Sequence, residues 1–206
     1  IYGRPGAAYL DLPGDIITGK AEEDEVVATQ RVPEPPRTLA DPVAVEAALD
    51  TLQAAERPLV VVGKGMAWSR AENEVREFIE RTQLPFLASP MGKGVVPDDH
   101  PLSVAAARTY ALQNCDTVLL MGARLNWIMH FGLPPRWDKN VKVVQMDIEP
   151  EEIGNNVPAV VGLVGDGKAI TTQLNLTLER RPWQFSAENL WRSGLKNKLD
   201  ANVATT

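Results

Sequence analysis

Residues 58–65 read Pro58-Leu59-Val60-Val61-Val62-Gly63-Lys64-Gly65. A continuous aliphatic run that stops at glycine is the pattern of a strand buried on both faces, as parallel sheets require. Residues 71–82, just downstream, space their apolar side chains along one face of a helix. Strand, glycine turn and helix form the opening unit of a doubly wound α/β fold. Ligands of that architecture sit beyond the carboxyl ends of the strands, where backbone N–H groups favour anions. Lys64 places a positive charge at that spot. Gly-Lys-Gly is a weak motif alone, so the reading depends on the ends of the other strands.

Moving outward, short apolar runs recur at 84–87, 116–121, 141–146 and 159–164, and helical patterns at 41–55, 104–114 and 168–180. Asp41-Pro42 supplies a capping carboxylate followed by proline at the first helical position. Residues 150–153 read as a short helical turn. The alternation predicts an α/β, doubly wound, Rossmann-like domain with a parallel sheet of five or six strands. Residues 88–101 and 126–135 are predicted loops, long enough to be functional.

Before the domain, 7–12 is a candidate strand ended by Pro13-Gly14-Asp15. Residues 19–40 are acidic and then proline-rich (Pro33, Pro35, Pro36), which suits a semi-extended linker. After the domain, Trp183, Phe185, Leu190, Trp191, Leu195 and Leu199 mark a helical tail expected to dock elsewhere. The expected organisation is therefore the end of a preceding domain at 1–18, a linker at 19–40, the α/β domain at 41–180, and a tail toward a further domain at 181–206. The chain opens at Ile1 without Met, inside a turn that continues through Gly3-Arg4-Pro5-Gly6, so a piece of a longer chain is expected.

Composition narrows the function classes. With 44% hydrophobic and 23% charged residues and a net charge of −6, the 206-residue chain suits a globular domain and offers no case for nucleic acid or an anionic membrane. A small anionic ligand would need local positive charge. The one cysteine, Cys115, excludes an internal disulfide and a Cys-based zinc site, and His100 and His130 are too few for a metal cluster. No apolar run reaches the roughly 18 residues of a membrane span, and no signal peptide is visible. A reducing, intracellular compartment is expected.

Lys64, Arg124, Asp147 and Asp166 each follow a predicted strand, so a parallel sheet puts them on one rim. Two cations and two carboxylates among glycines suit a nucleotide: arginine and lysine meet phosphates, and strand-end carboxylates accept from ribose hydroxyls or an adenine amino group. The alternative is that they are ordinary exposed charges or Arg–Asp pairs. Gly165-Asp166-Gly167 with Asn189 resembles a thiamine-diphosphate metal motif, but the intervening stretch is a polar helix and Arg180-Arg181-Pro182-Trp183, so the strand-end reading is preferred. His130 reads as a packed loop residue, His100 as a turn residue and Cys115 as buried and inert. No catalytic residue is assigned.

These pieces in order carry a resemblance: Gly3-Arg4-Pro5-Gly6 with Asp11-Leu12-Pro13, Arg57-Pro58 through Gly65, Leu84-Pro85-Phe86, Pro90-Met91-Gly92-Lys93-Gly94 with Asp99-His100-Pro101, Gly122-Ala123-Arg124-Leu125-Asn126-Trp127, Asp147-Ile148 and Gly165-Asp166. The chain resembles the central domain of thiamine-diphosphate enzymes of the acetolactate synthase, oxalyl-CoA decarboxylase and 2-hydroxyacyl-CoA lyase group, over roughly residues 1–178. Gly92-Lys93-Gly94-Val95-Val96-Pro97-Asp98, Leu133-Pro134-Pro135 and Gly154-Asn155-Asn156 look most like the 2-hydroxyacyl-CoA lyase branch.

The resemblance implies ADP on the strand-end rim, held by Arg4, Lys64, Arg124, Asp147 and Asp166. It implies that thiamine diphosphate and Mg²⁺ are bound by flanking domains outside this segment, so the segment alone is inactive. In the longer chain the implied reaction cleaves a 2-hydroxyacyl-CoA to an aldehyde and formyl-CoA, within fatty-acid α-oxidation. The implied partners are the acyl-CoA, ADP and the flanking domains, in a homodimer or homotetramer, peroxisomal if eukaryotic and cytoplasmic if bacterial. An oxalyl-CoA decarboxylase and a free-standing nucleotide-binding regulatory module are the alternatives. A NAD-dependent dehydrogenase is disfavoured because Gly63-Lys64-Gly65-Met66-Ala67-Trp68 lacks the third glycine of the dinucleotide fingerprint.

Overall fold

The structure is a computed structural model that describes residues 3–204. Ile1, Tyr2, Thr205 and Thr206 lie outside the described residues, and with them the first residues of the expected opening turn. The chain divides into a first unit up to Pro36 and a second from Arg37 onward.

The first unit holds one short helix, α1 (Gly14–Ile17), and a 3-10 turn at Glu23–Glu25. The strand predicted at 7–12 is not formed: Tyr9 and Leu10 are 91% and 77% exposed, and no ladder reaches them. A lone extended segment has no second strand to take its N–H and C=O groups, and its apolar side chains alone cannot fix it as a strand.

In the second unit the elements run α2 (Pro42–Gln53), β1 (Pro58–Val62), α3 (Lys64–Trp68), α4 (Glu72–Thr82), β2 (Phe86–Ala88), α5 (Arg108–Asn114), β3 (Thr117–Met121), β4 (Lys142–Asp147), β5 (Ala159–Val164), α6 (Gly167–Arg180) and α7 (Leu190–Val203). Short 3-10 turns lie at Ala105–Ala107, Trp127–Gly132 and Pro150–Glu152. Asp41 caps α2 as expected, accepting from the Val43 N–H at 2.8 Å with Pro42 in the first turn. The helix predicted at 104–114 is split by the 3-10 turn, and the glycine turn after β1 is itself the start of α3.

The sheet has five strands, order β2-β1-β3-β4-β5, every pair parallel. β1 is buried along its whole length, and so is β3. Each fully buried Val or Leu there contributes roughly 1.5–3 kcal/mol, which is why the uninterrupted aliphatic run was decisive. From β1 the chain turns to β2 on one side, then crosses back to β3 on the other. The strand order therefore reverses between β1 and β3, and doubly wound sheets bind ligands at such a point.

Helices α2 and α4 pack against α6. Helix α7 packs against α5 and the 3-10 turn before it. This corrects the expectation that the tail docks elsewhere. Trp191 and Leu195 are buried in the domain's own core, Trp191 stacks on Tyr110 with ring centroids 5.8 Å apart, and its indole N–H donates to the Pro58 carbonyl at 2.8 Å. The tail's apolar face needed cover, and α5 with the start of β1 supplied it. No helix among the described residues is long and apolar enough to cross a membrane.

Candidate functional site: the carboxyl rim of the sheet

The ends of β1 and β3 are joined by backbone crossing on backbone. The Gly63 N–H donates to Met121 O at 2.8 Å and the Gly65 N–H to Gly122 O at 3.0 Å. A Cβ on Gly63 would overlap the Gly122 carbonyl oxygen, and one on Gly65 would stand 2.8 Å from the Gly122 Cα. Gly122 turns at φ +57°, which an L side chain resists. The loop after β2 joins the crossing: a Cβ on Gly92 would overlap the Val62 carbonyl oxygen. Glycine beside a cation could admit a ligand close to the backbone. The structure shows the space at Gly63 and Gly65 filled by the neighbouring strand turn, so their role is to bring Lys64 and Arg124 to the same switch point.

Lys64 begins α3, is exposed, and lays its ammonium over the Trp68 ring at 5.4 Å from the centroid. Arg124 follows β3 with 49% of its side chain exposed, and its Nη1 lies 3.5 Å from Oε1 of Glu152. The Glu152 side chain is 16% exposed, but a pair at the limit of hydrogen-bond length with its cation half-exposed holds the guanidinium only weakly, which leaves it able to meet an anion. The loop beyond Arg124 is pinned. Asn126 caps it by accepting from the Ile128 N–H at 3.0 Å, Arg108 donates to Ile128 O at 2.8 Å, the Trp137 indole donates to Met129 O at 2.7 Å, and Asn156 donates to Leu125 O at 3.0 Å. Burial, which disfavours the charged form, lowers the Arg108 pKa from its usual range.

Asp147 is the last residue of β4, 8% exposed, and its Oδ1 accepts from the Glu149 N–H at 3.0 Å. Asp166 follows β5 and caps α6, accepting from the Ala169 N–H at 3.0 Å. Both its oxygens also accept from Arg37 Nη1, each at 2.8 Å. For Asp166 the alternative left open by the sequence, an Arg–Asp pair, is therefore realised, with an arginine 129 residues away. Asn189 likewise caps its own helix, accepting from the Trp191 N–H at 2.7 Å. Arg4 is exposed and belongs to the first unit.

The structure thus brings Lys64, Arg124, Asp147 and Asp166 to one rim and adds Arg37, which sequence reasoning placed in the linker. Arg37 closes a proline-rich stretch without periodicity, so no local signal marked it. Among the described residues no group of three or more His, Cys, Asp and Glu could hold a metal ion. His100 is a turn residue whose Nδ1 accepts from the Leu102 N–H at 3.2 Å. His130 is half-buried in a left-handed turn at φ 51°. Cys115 is buried, and desolvation, with the charge of Asp116 behind it, pushes its thiol up to about 12.

Comparison with known proteins agrees with this architecture. The family described as "Thiamine pyrophosphate enzyme, central domain" matches residues 45–174. Human 2-hydroxyacyl-CoA lyase 1 is 46% identical over 206 residues, covering 100% of this chain and 36% of that protein. The mouse protein of the same name is 48% identical over 204 residues, 99% of this chain and 35% of that one. Oxalyl-CoA decarboxylase of Escherichia coli K12 is 43% identical over 205 residues, 98% of this chain and 36% of that one. The chain spans about a third of the length of these curated relatives.

Proposed function

This chain belongs to the family of thiamine pyrophosphate enzyme central domains, and from that premise we propose that it is the nucleotide-binding middle part of a thiamine-diphosphate-dependent 2-hydroxyacyl-CoA lyase. The longer chain would cleave a 2-hydroxyacyl-CoA to an aldehyde and formyl-CoA. This segment would bind ADP and hold the flanking parts in place. The observation that carries the nucleotide reading is the pair Lys64 and Arg124 at the strand-order switch point, one laid over a ring face and the other, half-exposed, in a long pair with Glu152. Both can be drawn to a diphosphate. Asp147 and Asp166, at the ends of β4 and β5, would take the ribose or adenine end.

Thiamine diphosphate and Mg²⁺ do not fit the groups present here. Asp166 is committed to Arg37 and the α6 cap, Asn189 to the α7 cap, and the described residues hold no metal-binding cluster. Their sites are assigned to other parts of the longer chain, and no step of the chemistry is routed through this segment.

The Escherichia coli relative supports a second reading, the central domain of an oxalyl-CoA decarboxylase. Product analysis separates the two. The full-length chain, supplied with thiamine diphosphate and Mg²⁺, is expected to release an aldehyde and formyl-CoA from a 2-hydroxyacyl-CoA. Release of CO₂ from oxalyl-CoA, with no aldehyde from the hydroxyacyl substrate, would replace the lyase by the decarboxylase. Turnover by residues 1–206 alone would overturn the assignment of the chemistry to other parts of the chain.

A further inference from the structure

The two edges of the sheet are finished differently. At β2 the chain covers its own edge: the Phe86 N–H donates to Leu102 O at 3.0 Å, the Val104 N–H donates to Phe86 O at 2.9 Å, and Ser103 bridges to Phe86. At β5 nothing comparable occurs among the described residues. The Gly165 N–H donates to Asp147 O at 2.9 Å, so the backbone of Gly165 faces β4. Strand alternation then turns the N–H and C=O of Gly162 and Val164 outward, and no hydrogen bond from outside the sheet reaches them among the described residues. Val160 is skipped by the register shift between Val143 and Val144 and is paired with no residue of β4.

Edge strands are normally blunted by charge or proline. Residues 157–165 read Val-Pro-Ala-Val-Val-Gly-Leu-Val-Gly and carry no charge, in a chain of net charge −6. Pro158 and the register shift blunt only the start of β5. Val160 and Val164 are 54% and 39% exposed. Gly162 shares the face of Val164, and Ile153 Cγ2 stands 2.7 Å from where a Cβ on Gly162 would be. An apolar strip thus lies beside an open row of backbone donors and acceptors, and another strand satisfies both.

The order of residues along β5 selects the partner. A two-fold axis at Gly162 sets Gly162 against Gly162 and Val160 against Val164 twice, the self-matching that an isologous contact requires. The outward backbone groups of each copy then meet those of the other in antiparallel hydrogen-bonded pairs, and each exposed valine gains a valine opposite it. Thr38, whose carbonyl accepts from the Asp166 N–H at 3.0 Å, bounds the ladder just beyond Val164. Pro158, with no N–H to give, bounds it at the other end. The segment ahead of Arg37 is a poor substitute, since Pro33, Pro35 and Pro36 lack the donors a ladder needs. An uncharged strip also lets two copies of net charge −6 meet where their repulsion is least.

We propose that the outer edge of β5 is an interface: two copies of the chain pair antiparallel through Val160–Val164 and join their sheets into one. So short a ladder is small beside the roughly 1,200–2,000 Å² of a stable interface, so it acts together with other contacts of the longer chain. The inference does not depend on the nucleotide reading of the carboxyl rim.

Hydrogen exchange at single-residue resolution and disulfide trapping, both on the full-length chain, test it. In wild type the Gly162 and Val164 amides are expected to exchange as slowly as that of Leu163, which faces β4 in either case. Val160→Cys together with Val164→Cys in one chain should give a covalent dimer under mild oxidation. Paired Cα atoms in such a ladder stand roughly 5.5 Å apart, within the span of a disulfide. Positions 160 and 164 of one copy are about 13 Å apart and cannot close on each other. Both valines are exposed, so the fold should survive, and continued protection of Leu163 checks that it does. Each single variant should give no more covalent dimer than wild type. Fast exchange at Gly162 and Val164 would show an open edge and overturn the proposal. Slow exchange without the covalent dimer would mean that another part of the chain covers the edge, and overturns it equally. A covalent dimer from a single variant would contradict the register.

Discussion

The two ends of the sheet are built on different principles. At the amino end, polar side chains tie the chain to itself, although Oδ1 of Asp116 is buried without a hydrogen-bond partner among the described residues. Asp116 Oδ2 accepts from the Glu56 and Arg57 N–H groups, each at 3.0 Å, Arg57 Nε donates to Asn114 O at 2.6 Å, and Trp191 donates to Pro58 O. Cys115 is sealed beneath. At the carboxyl end the β1 and β3 turns cross through glycine backbone, and Lys64 and Arg124 are left exposed with weak partners. A fold that ties one rim to itself and leaves cations half-engaged on the other suits a division between stability and the proposed binding. Substitutions should divide the same way.

The largest effect is expected at the amino end. Trp191→Ala removes a buried indole, its hydrogen bond and its stack on Tyr110, and should cost about 3–5 kcal/mol. Urea denaturation of the isolated 206-residue domain checks this, and nucleotide affinity in the folded variant should be unchanged. A loss under about 1 kcal/mol would mean that α7 is a loose tail after all.

Gly63→Ala breaks the comparison from the other side, because here the carboxyl rim carries stability too. Its Cβ meets the Gly122 carbonyl, which is backbone and cannot rotate away, so a cost near 3 kcal/mol is expected from overpacking. Gly94→Ala is the control on the same rim: φ is +87°, but nothing lies within 4 Å. It should cost about 1 kcal/mol for backbone strain alone. Equal losses at the two positions would remove the claim that the β1–β3 crossing is sterically closed.

The smallest effect near neutral pH belongs to Cys115. Below its ordinary pKa of 9.0 the thiol is protonated in both states. Between there and about 12 the unfolded chain releases the proton and the folded chain keeps it. The unfolded state then binds fewer protons, so stability should fall as pH rises through that window. A thiol reagent at pH 8 should label Cys115 only after denaturation; rapid labelling of folded protein would show the amino end to be open.

The strands β1 and β3 were legible because burial on both faces leaves a continuous aliphatic run, and the rim was legible because a charge follows the runs of β1, β3, β4 and β5, with glycine close by at all but β4. Lys64, Arg124, Asp147 and Asp166 could thus be placed together before any coordinates. What could not be read depended on contacts far apart in sequence. Arg37 finds Asp166 across 129 residues, α7 finds Pro58 across 133, and the apolar run at 7–12 found no partner strand. At Gly63 and Gly65 the close approach is made by the Gly122 backbone, which only tertiary packing could reveal.

The central claim is that the carboxyl rim binds a nucleotide through cations the fold does not need. Calorimetric titration of ADP into the full-length chain, wild type against Arg124→Ala, tests it most directly. A charge-assisted contact is worth about 1.5–3 kcal/mol, so the variant should bind roughly ten- to a hundredfold more weakly, with an unchanged melting temperature in the absence of ligand. Equal affinity in the two proteins, or no binding of ADP by folded wild type, would contradict the account.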